Sequence, residues 1–226
     1  MTPALVGKLV ADAAALAAAV VVLRQCRKPG WLPGRLILWR MNESHLRVTA
    51  WGLGHVTVEP GATALDVGCG GGRTIQTLAE RAREGRVCGI DYSATSVTVA
   101  RRTNAAAIAA GRVAIEQASV SRLPYPDRTF DLVTAVETHY YWPDPPSDVH
   151  EILRVLKPGG RLALIAETFR GQRFGAAVGV AMRLLRARYL TVQQHRDLLA
   201  AAGFTDIVVD TDPARGWICA LGRRPA

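Results

Sequence analysis

Hydrophobic positions in this chain follow two rhythms that take turns. Short apolar runs rich in β-branched residues occupy 62–67, 86–90, 113–116, 130–136, 161–166, 205–209 and 216–221. Stretches with apolar residues at helical spacing occupy 73–83, 94–110, 147–156 and 191–202. Alternation of strand, helix and strand through short loops predicts an α/β fold of three layers, a mostly parallel sheet with helices on both faces. Only DTDPAR (210–215) separates the last two runs. The seventh strand is therefore expected to return antiparallel as a hairpin.

Ahead of the first strand the pattern changes. Residues 5–23 are strongly apolar, a Pro/Gly loop follows at 28–34, and a second helical pattern runs over 34–53. The chain thus divides into a helical extension or cap, 1–54, and a main domain, 55–226. Lys8 and Asp12 interrupt the apolar run, and its clean part from Ala13 to Leu23 is shorter than the ~20 residues a spanning helix needs. No small-residue cleavage site follows, so neither a membrane span nor a signal peptide is expected. Either the helix packs on the domain, or residues 1–34 make a peripheral membrane contact with their basic end at the headgroups. A second unusual segment, 168–190, is longer than a plain connection. In it Phe174, Val178, Met182 and Leu185 fall near helical spacing among Arg170, Arg173, Arg183, Arg186 and Arg188, which suits a lid over a site.

With 226 residues, 49% of them hydrophobic and 21% charged, the composition is that of a globular protein and excludes a disordered one. A net charge of +9 favours anionic partners, although a solvated arginine face accounts for it equally. Cys26, Cys69, Cys88 and Cys219 are widely spaced, with no CxxC and no histidine at ligand spacing. This describes a reduced, cytoplasmic protein without a metal site.

The chemistry begins at LDVGCGGGRT, 65–74. A glycine-rich turn after the first strand of a parallel sheet is where nucleotide-like ligands bind. Gly68 and Gly70 fill two positions of a dinucleotide GxGxxG motif, but Arg73 stands at the third. Asp66, ending the strand, disfavours a diphosphate and suits a cationic ligand. Asp91 ends the next strand in VCGIDYS (87–93), where one carboxylate can accept both ribose hydroxyl protons. Asp91 also suits a helix cap, and glycines also serve tight packing. Together the two acids and the turn fit S-adenosylmethionine, which carries an ammonium, a sulfonium and no phosphate.

ALDVGCGGGRT (64–74), VCGIDYS (87–93), LPYPDRTFDLVTAVET (123–138), HEILRVLKPGGRLAL (150–164) and LLAAAGFTDI (198–207) together resemble the class I S-adenosylmethionine-dependent methyltransferases, of the bacterial small-molecule type. The resemblance implies a Rossmann-like sheet of seven strands with the last antiparallel. It implies cofactor contacts at Asp66, Gly68, Gly70 and Asp91, with Cys69 and Tyr92 beside them. The family commonly places Gly-Asp-Ala before its LPF element, the Asp approaching adenine. Here Ala118 and Ser119 stand at the first two of those positions, leaving Ser119 and the Val120 amide to meet the adenine.

The acceptor site is expected past the fourth strand, where VETHYYWPDPP (136–146) gathers Glu137, His139, Tyr140, Tyr141 and Trp142. His139 is the candidate general base because its ordinary pKa needs little tuning. Glu137 is a second catalytic candidate, or it orients the cofactor's methionine end. Tyr140, Tyr141 and Trp142 are candidate acceptor-binding residues, and His55 can reach the same cleft from the N-terminal cap; His45 is a weaker case. The expected reaction is O- or N-methylation of a small molecule. A nucleic-acid acceptor is not expected, because DPPS (144–147) imitates the Pro-Pro-aromatic signature of such enzymes without its aromatic residue. Two further readings are a NAD-dependent oxidoreductase, opposed by Asp66 and Arg73, and a non-catalytic or membrane-docked protein that keeps the fold.

Overall fold

A computed structural model describes residues 45–172 and 175–226. The apolar run 5–23, the loop 28–34 and the start of the second helical pattern lie outside the described residues.

The elements follow the sequence rhythm. Helix α1 (Leu46–Leu53) leads into β1 (Thr63–Val67), α2 (Arg73–Arg81), β2 (Arg86–Asp91), α3 (Ala94–Thr103), α4 (Ala105–Ala109) and β3 (Val113–Gln117). Then come β4 (Phe130–Val136), a 3₁₀ turn (His139–Tyr141), α5 (Pro145–Val155), β5 (Leu156–Ala166), α6 (Gly175–Leu184), α7 (Val192–Ala201), β6 (Thr205–Asp212) and β7 (Trp217–Arg223). One seven-stranded sheet has the order β3-β2-β1-β4-β5-β7-β6. β7 is antiparallel to both β5 and β6, while the other pairings are parallel. The order reverses between β1 and β4, and that switch point opens a crevice beyond the carboxyl ends of the strands.

Two apolar layers hold the sheet. Leu53 of α1, Ile75 and Leu78 of α2 and Val97 of α3 pack on one face against Ala64, Val87 and Ile165. Val149 and Ile152 of α5, Leu199 of α7 and Phe204 pack on the other against Leu65, Val133 and Leu164. Both faces are covered, so β4 and β5 read as continuous apolar runs and not as alternation. α1 lies close on the sheet because Gly52 has no side chain: a Cβ there would stand 2.6 Å from Ile165.

Boundaries moved where side chains compete for the backbone. The helix expected over 94–110 breaks at Asn104, whose amide donates to the Ala100 and Gly72 carbonyls; this ties the end of α3 to the glycine turn. The helix expected from 147 starts at Pro145, whose fixed φ suits a first turn. β5 begins five residues earlier than the run 161–166, and β6 extends to Asp212. α7 starts with a reciprocal capping box between Thr191 and Gln194. Among the described residues no helix is long and apolar enough to cross a membrane.

Candidate functional site

The turn after β1 is shaped by backbone needs. Gly68, Gly70 and Gly72 take φ of 74°, 51° and 85°, a region that costs residues with a Cβ but not glycine. A Cβ on Gly68 would run into the Thr138 hydroxyl, and one on Gly72 would lie 2.9 Å from the Ala100 backbone. The amides of Gly68 and Cys69 both donate to the Ile90 carbonyl, at 2.8 and 2.9 Å. The Cys69 amide is thus committed within the turn, and burial raises its thiol pKa well above the ordinary value.

Two buried acids flank this turn. Asp66 accepts from the Thr134 hydroxyl at 2.7 Å. Burial pushes its pKa up to about 7, against that hydrogen bond and helped by the charge of Asp91. Asp91 accepts from the Gly70 amide at 3.0 Å and the Ser93 amide at 2.8 Å. Burial raises it too, opposed by those same amides. A cationic ligand would relieve the cost of ionising both, whereas a phosphate would increase it. The residues thus suit a sulfonium nucleotide.

Beside the turn lies a cavity of about 190 Å³ lined by Gly68, Tyr92, Ala118, Ser119, Val120, Thr138, Tyr141 and Trp142, with Val67, Ile90 and Pro143. Six residues singled out from sequence thus meet at one opening: Gly68, Tyr92, Ser119, Val120, Tyr141 and Trp142. Tyr92 is 43% exposed at its rim, while Trp142 is buried.

Past β4 the chain takes a strained turn. Glu137 has φ 58°, and its carboxylate accepts from the Tyr140 hydroxyl and from the Glu167 amide. Burial lifts its pKa to about 7. His45, at the start of α1, sits 3.5 Å from the Glu167 carboxylate. Burial works against its charge, yet Glu167 and Glu137 outweigh it and hold the imidazole above its usual pKa. The ligating atoms of His45, Glu137 and Glu167 all lie within 4.8 Å of one another. This is an imidazole held between two carboxylates, a donor set that a divalent ion also accepts.

Two histidine assignments change. His139 does not line the cavity described above; it is 3% exposed, with Nε2 3.0 Å from Nε2 of His195. His195 has its Nδ1 2.8 Å from the Thr191 carbonyl. That bond places the His195 proton on Nδ1, so His139 donates from Nε2 and keeps a bare Nδ1, which is buried without a hydrogen-bond partner among the described residues. Burial holds both pKa values below the ordinary one, so the two rings form a neutral pair in the interior. His55 is drawn away from the cleft as well: its ring bonds the Trp51 carbonyl at 2.9 Å and stands 3.9 Å from Asp210 on the edge strand β6. His45, the weaker candidate, occupies the position expected of His55. The sequence reading missed Thr134, Thr138, Glu167 and His195. Of these only Glu167 carried a signal, a carboxylate just past a strand end like Glu137.

Comparison with known proteins agrees with this geometry. A family profile described as a methyltransferase domain matches residues 65–164. Methyltransferase GfsG of Streptomyces halstedii is 32% identical over 193 residues, covering 81% of this chain and 69% of that protein. The 27-O-demethylrifamycin SV methyltransferase of Amycolatopsis mediterranei is 37% identical over 124 residues, 55% of this chain; the chain spans 45% of that relative's length. Among solved structures, a SAM-dependent methyltransferase from Aquifex aeolicus superimposes with a TM-score of 0.68 at 20% identity, over 84% of this chain and 98% of that one.

Proposed function

The chain belongs to the class I S-adenosylmethionine-dependent methyltransferase family, and from that premise we propose that it transfers a methyl group from S-adenosylmethionine to an oxygen or nitrogen of a small-molecule acceptor. The observation that carries this reading is the pairing of two buried acids, Asp66 and Asp91, around a turn whose neighbouring cavity is lined by Tyr92, Ser119 and Val120. When bound, the cofactor supplies a methyl carbon on a cationic sulfur that departs as a neutral thioether. The residues must then align the acceptor and exclude water. Asp91 would hold the ribose hydroxyls, and Asp66 would face the positive end. Tyr141 and Trp142 would wall the acceptor side.

The acceptor loses one proton as its lone pair takes the methyl. Glu137 is the proposed recipient, because a carboxyl near pKa 7 is ionised often enough to accept and basic enough to pull. Tyr140 and the Glu167 amide hold its orientation. His139 would act on this turn from behind, through packing. The relative named for 27-O-demethylrifamycin SV supports a small organic acceptor and an oxygen nucleophile. Calorimetric titration of the full chain with S-adenosylhomocysteine and, separately, with NADH tests the cofactor. Binding of the former alone is expected; binding of NADH alone would make the chemistry redox and Asp66 misread.

A further inference from the structure

Helix α6 is apolar on two sides. Val178 and Met182 pack inward against Tyr140, Phe169 and Ile218, and the glycines at 175 and 179 face the Tyr189 ring. On the other side Val180 and Leu184 are 56% and 54% exposed, two of the four large exposed hydrophobics among the described residues. A helix with apolar residues on two sides is normally covered on both, and among the described residues nothing covers the outer one. Charge says what suits the open side. The segment 168–190 carries five arginines and no acidic residue, and Arg170, Arg183, Arg186 and Arg188 are exposed. A second copy of the chain would bring the same charges together, so self-association on this face is disfavoured. A nucleic acid would meet the arginines but leave Val180 and Leu184 against a polar backbone. An anionic bilayer satisfies both, with phosphates for the guanidinium groups and the acyl boundary for the apolar turn.

We propose that α6 and its flanking arginines form a docking surface for anionic lipid membranes, seating this edge of the molecule on the bilayer. The segment after α6 is joined to the turn past β4, since the Arg188 amide donates to the Tyr140 carbonyl at 2.9 Å and its guanidinium to the Pro143 carbonyl at 3.0 Å. Docking therefore bears on the wall formed by Tyr141 and Trp142, and it favours an acceptor that partitions into membranes. This last consequence rests on the methyl-transfer reading; the docking itself does not.

The test is flotation of the full chain with phosphatidylcholine vesicles, with and without phosphatidylglycerol. The chain is expected to float with the anionic vesicles only. Val180→Asp with Leu184→Asp should lower the bound fraction by more than about tenfold, and Arg183→Gln with Arg186→Gln should lower the partition coefficient by about thirtyfold at low salt. A charge-matched control on the far side of the molecule, Arg83→Gln with Arg102→Gln, should leave it within about threefold. Retained affinity for S-adenosylhomocysteine shows that each variant is folded, and its loss in the parent chain would overturn the methyl-transfer reading without touching this one. No flotation, or flotation that the α6 substitutions leave unchanged, overturns the proposal. So would capture by a nucleic-acid duplex in place of vesicles, or a dimer in solution that the Val180 and Leu184 changes dissolve.

Discussion

The two halves of the crevice are built by different means. At the ends of β1 and β2, the site is backbone and glycine: three glycines at positive φ, amides folded onto Ile90, and two acids one strand apart. At the ends of β4 and β5, the site is side chains drawn from remote parts of the chain. His45 reaches Glu167, and His139 reaches His195 across 56 residues. The first half needs one geometry because its ligand is fixed. The second half must fit whatever acceptor the protein serves, and side chains can be exchanged without moving the turn that holds the cofactor. The division predicts that damage on one side changes affinity for the cofactor and damage on the other changes turnover.

The largest expected effect lies on the acceptor side. Glu137→Gln keeps an oxygen for the Tyr140 hydroxyl but cannot take a proton, and should lower kcat by about 10²–10³-fold with S-adenosylhomocysteine affinity within about threefold. In the parent enzyme kcat should climb as pH passes about 7, because the carboxyl must be ionised to accept. Full activity after Glu137→Gln would move the proton elsewhere, and His45 would be the next residue to change.

Asp91→Ala tests the cofactor side. It removes the acceptor for two backbone amides together with the carboxylate proposed to hold the ribose, and should weaken S-adenosylhomocysteine binding by about 100-fold. Unchanged affinity by calorimetry would remove the ribose assignment. Gly72→Ala is smaller and acts on stability: at φ 85°, with the new Cβ 2.9 Å from the Ala100 backbone, it should cost about 2 kcal/mol and lower Tm by about 4–8 °C. An unaltered melting curve would mean that α2 and α3 shift apart freely.

The same division explains what the sequence made legible. The strand and helix rhythm survived because both faces of the sheet are buried, and no competing pattern was available to β4 or β5. The turn at 65–74 was readable because positive φ and close approach admit little except glycine. Asn104 was not, since a single amide bond to Gly72 across 32 residues leaves no periodic mark. The partner of His139 was hidden for a related reason: its surroundings are set by α7, and nothing near VETHYYW announces that His195 will stand 3.0 Å away. His45 and His55 lie at opposite ends of α1, and long-range packing, including the close approach of Gly52 to Ile165, sets which end of the helix meets the cleft.

The smallest expected effect separates the halves by the sign of their pH dependence. Asp66 has its folded pKa raised to about 7, so the folded state holds a proton that the unfolded chain releases above about 3.9. Its contribution to stability is present at acid pH and is lost as pH rises through about 7. The His139–His195 pair runs the other way. Both pKa values are lowered by burial, so their contribution is present above about 6.5 and is lost as pH falls, when the unfolded chain takes up protons first. Asp66→Asn should therefore flatten the fall in Tm between about pH 5 and pH 8, and His139→Gln, which still donates to His195, should soften the fall on the acid side. Each change is expected to be about 1–2 kcal/mol, a few degrees of Tm. If Asp66→Asn leaves the difference between those pH values unchanged, the acid is ionised in the folded chain without a ligand. The cost of burying a charge that a cationic ligand would relieve would then fall on Asp91 alone.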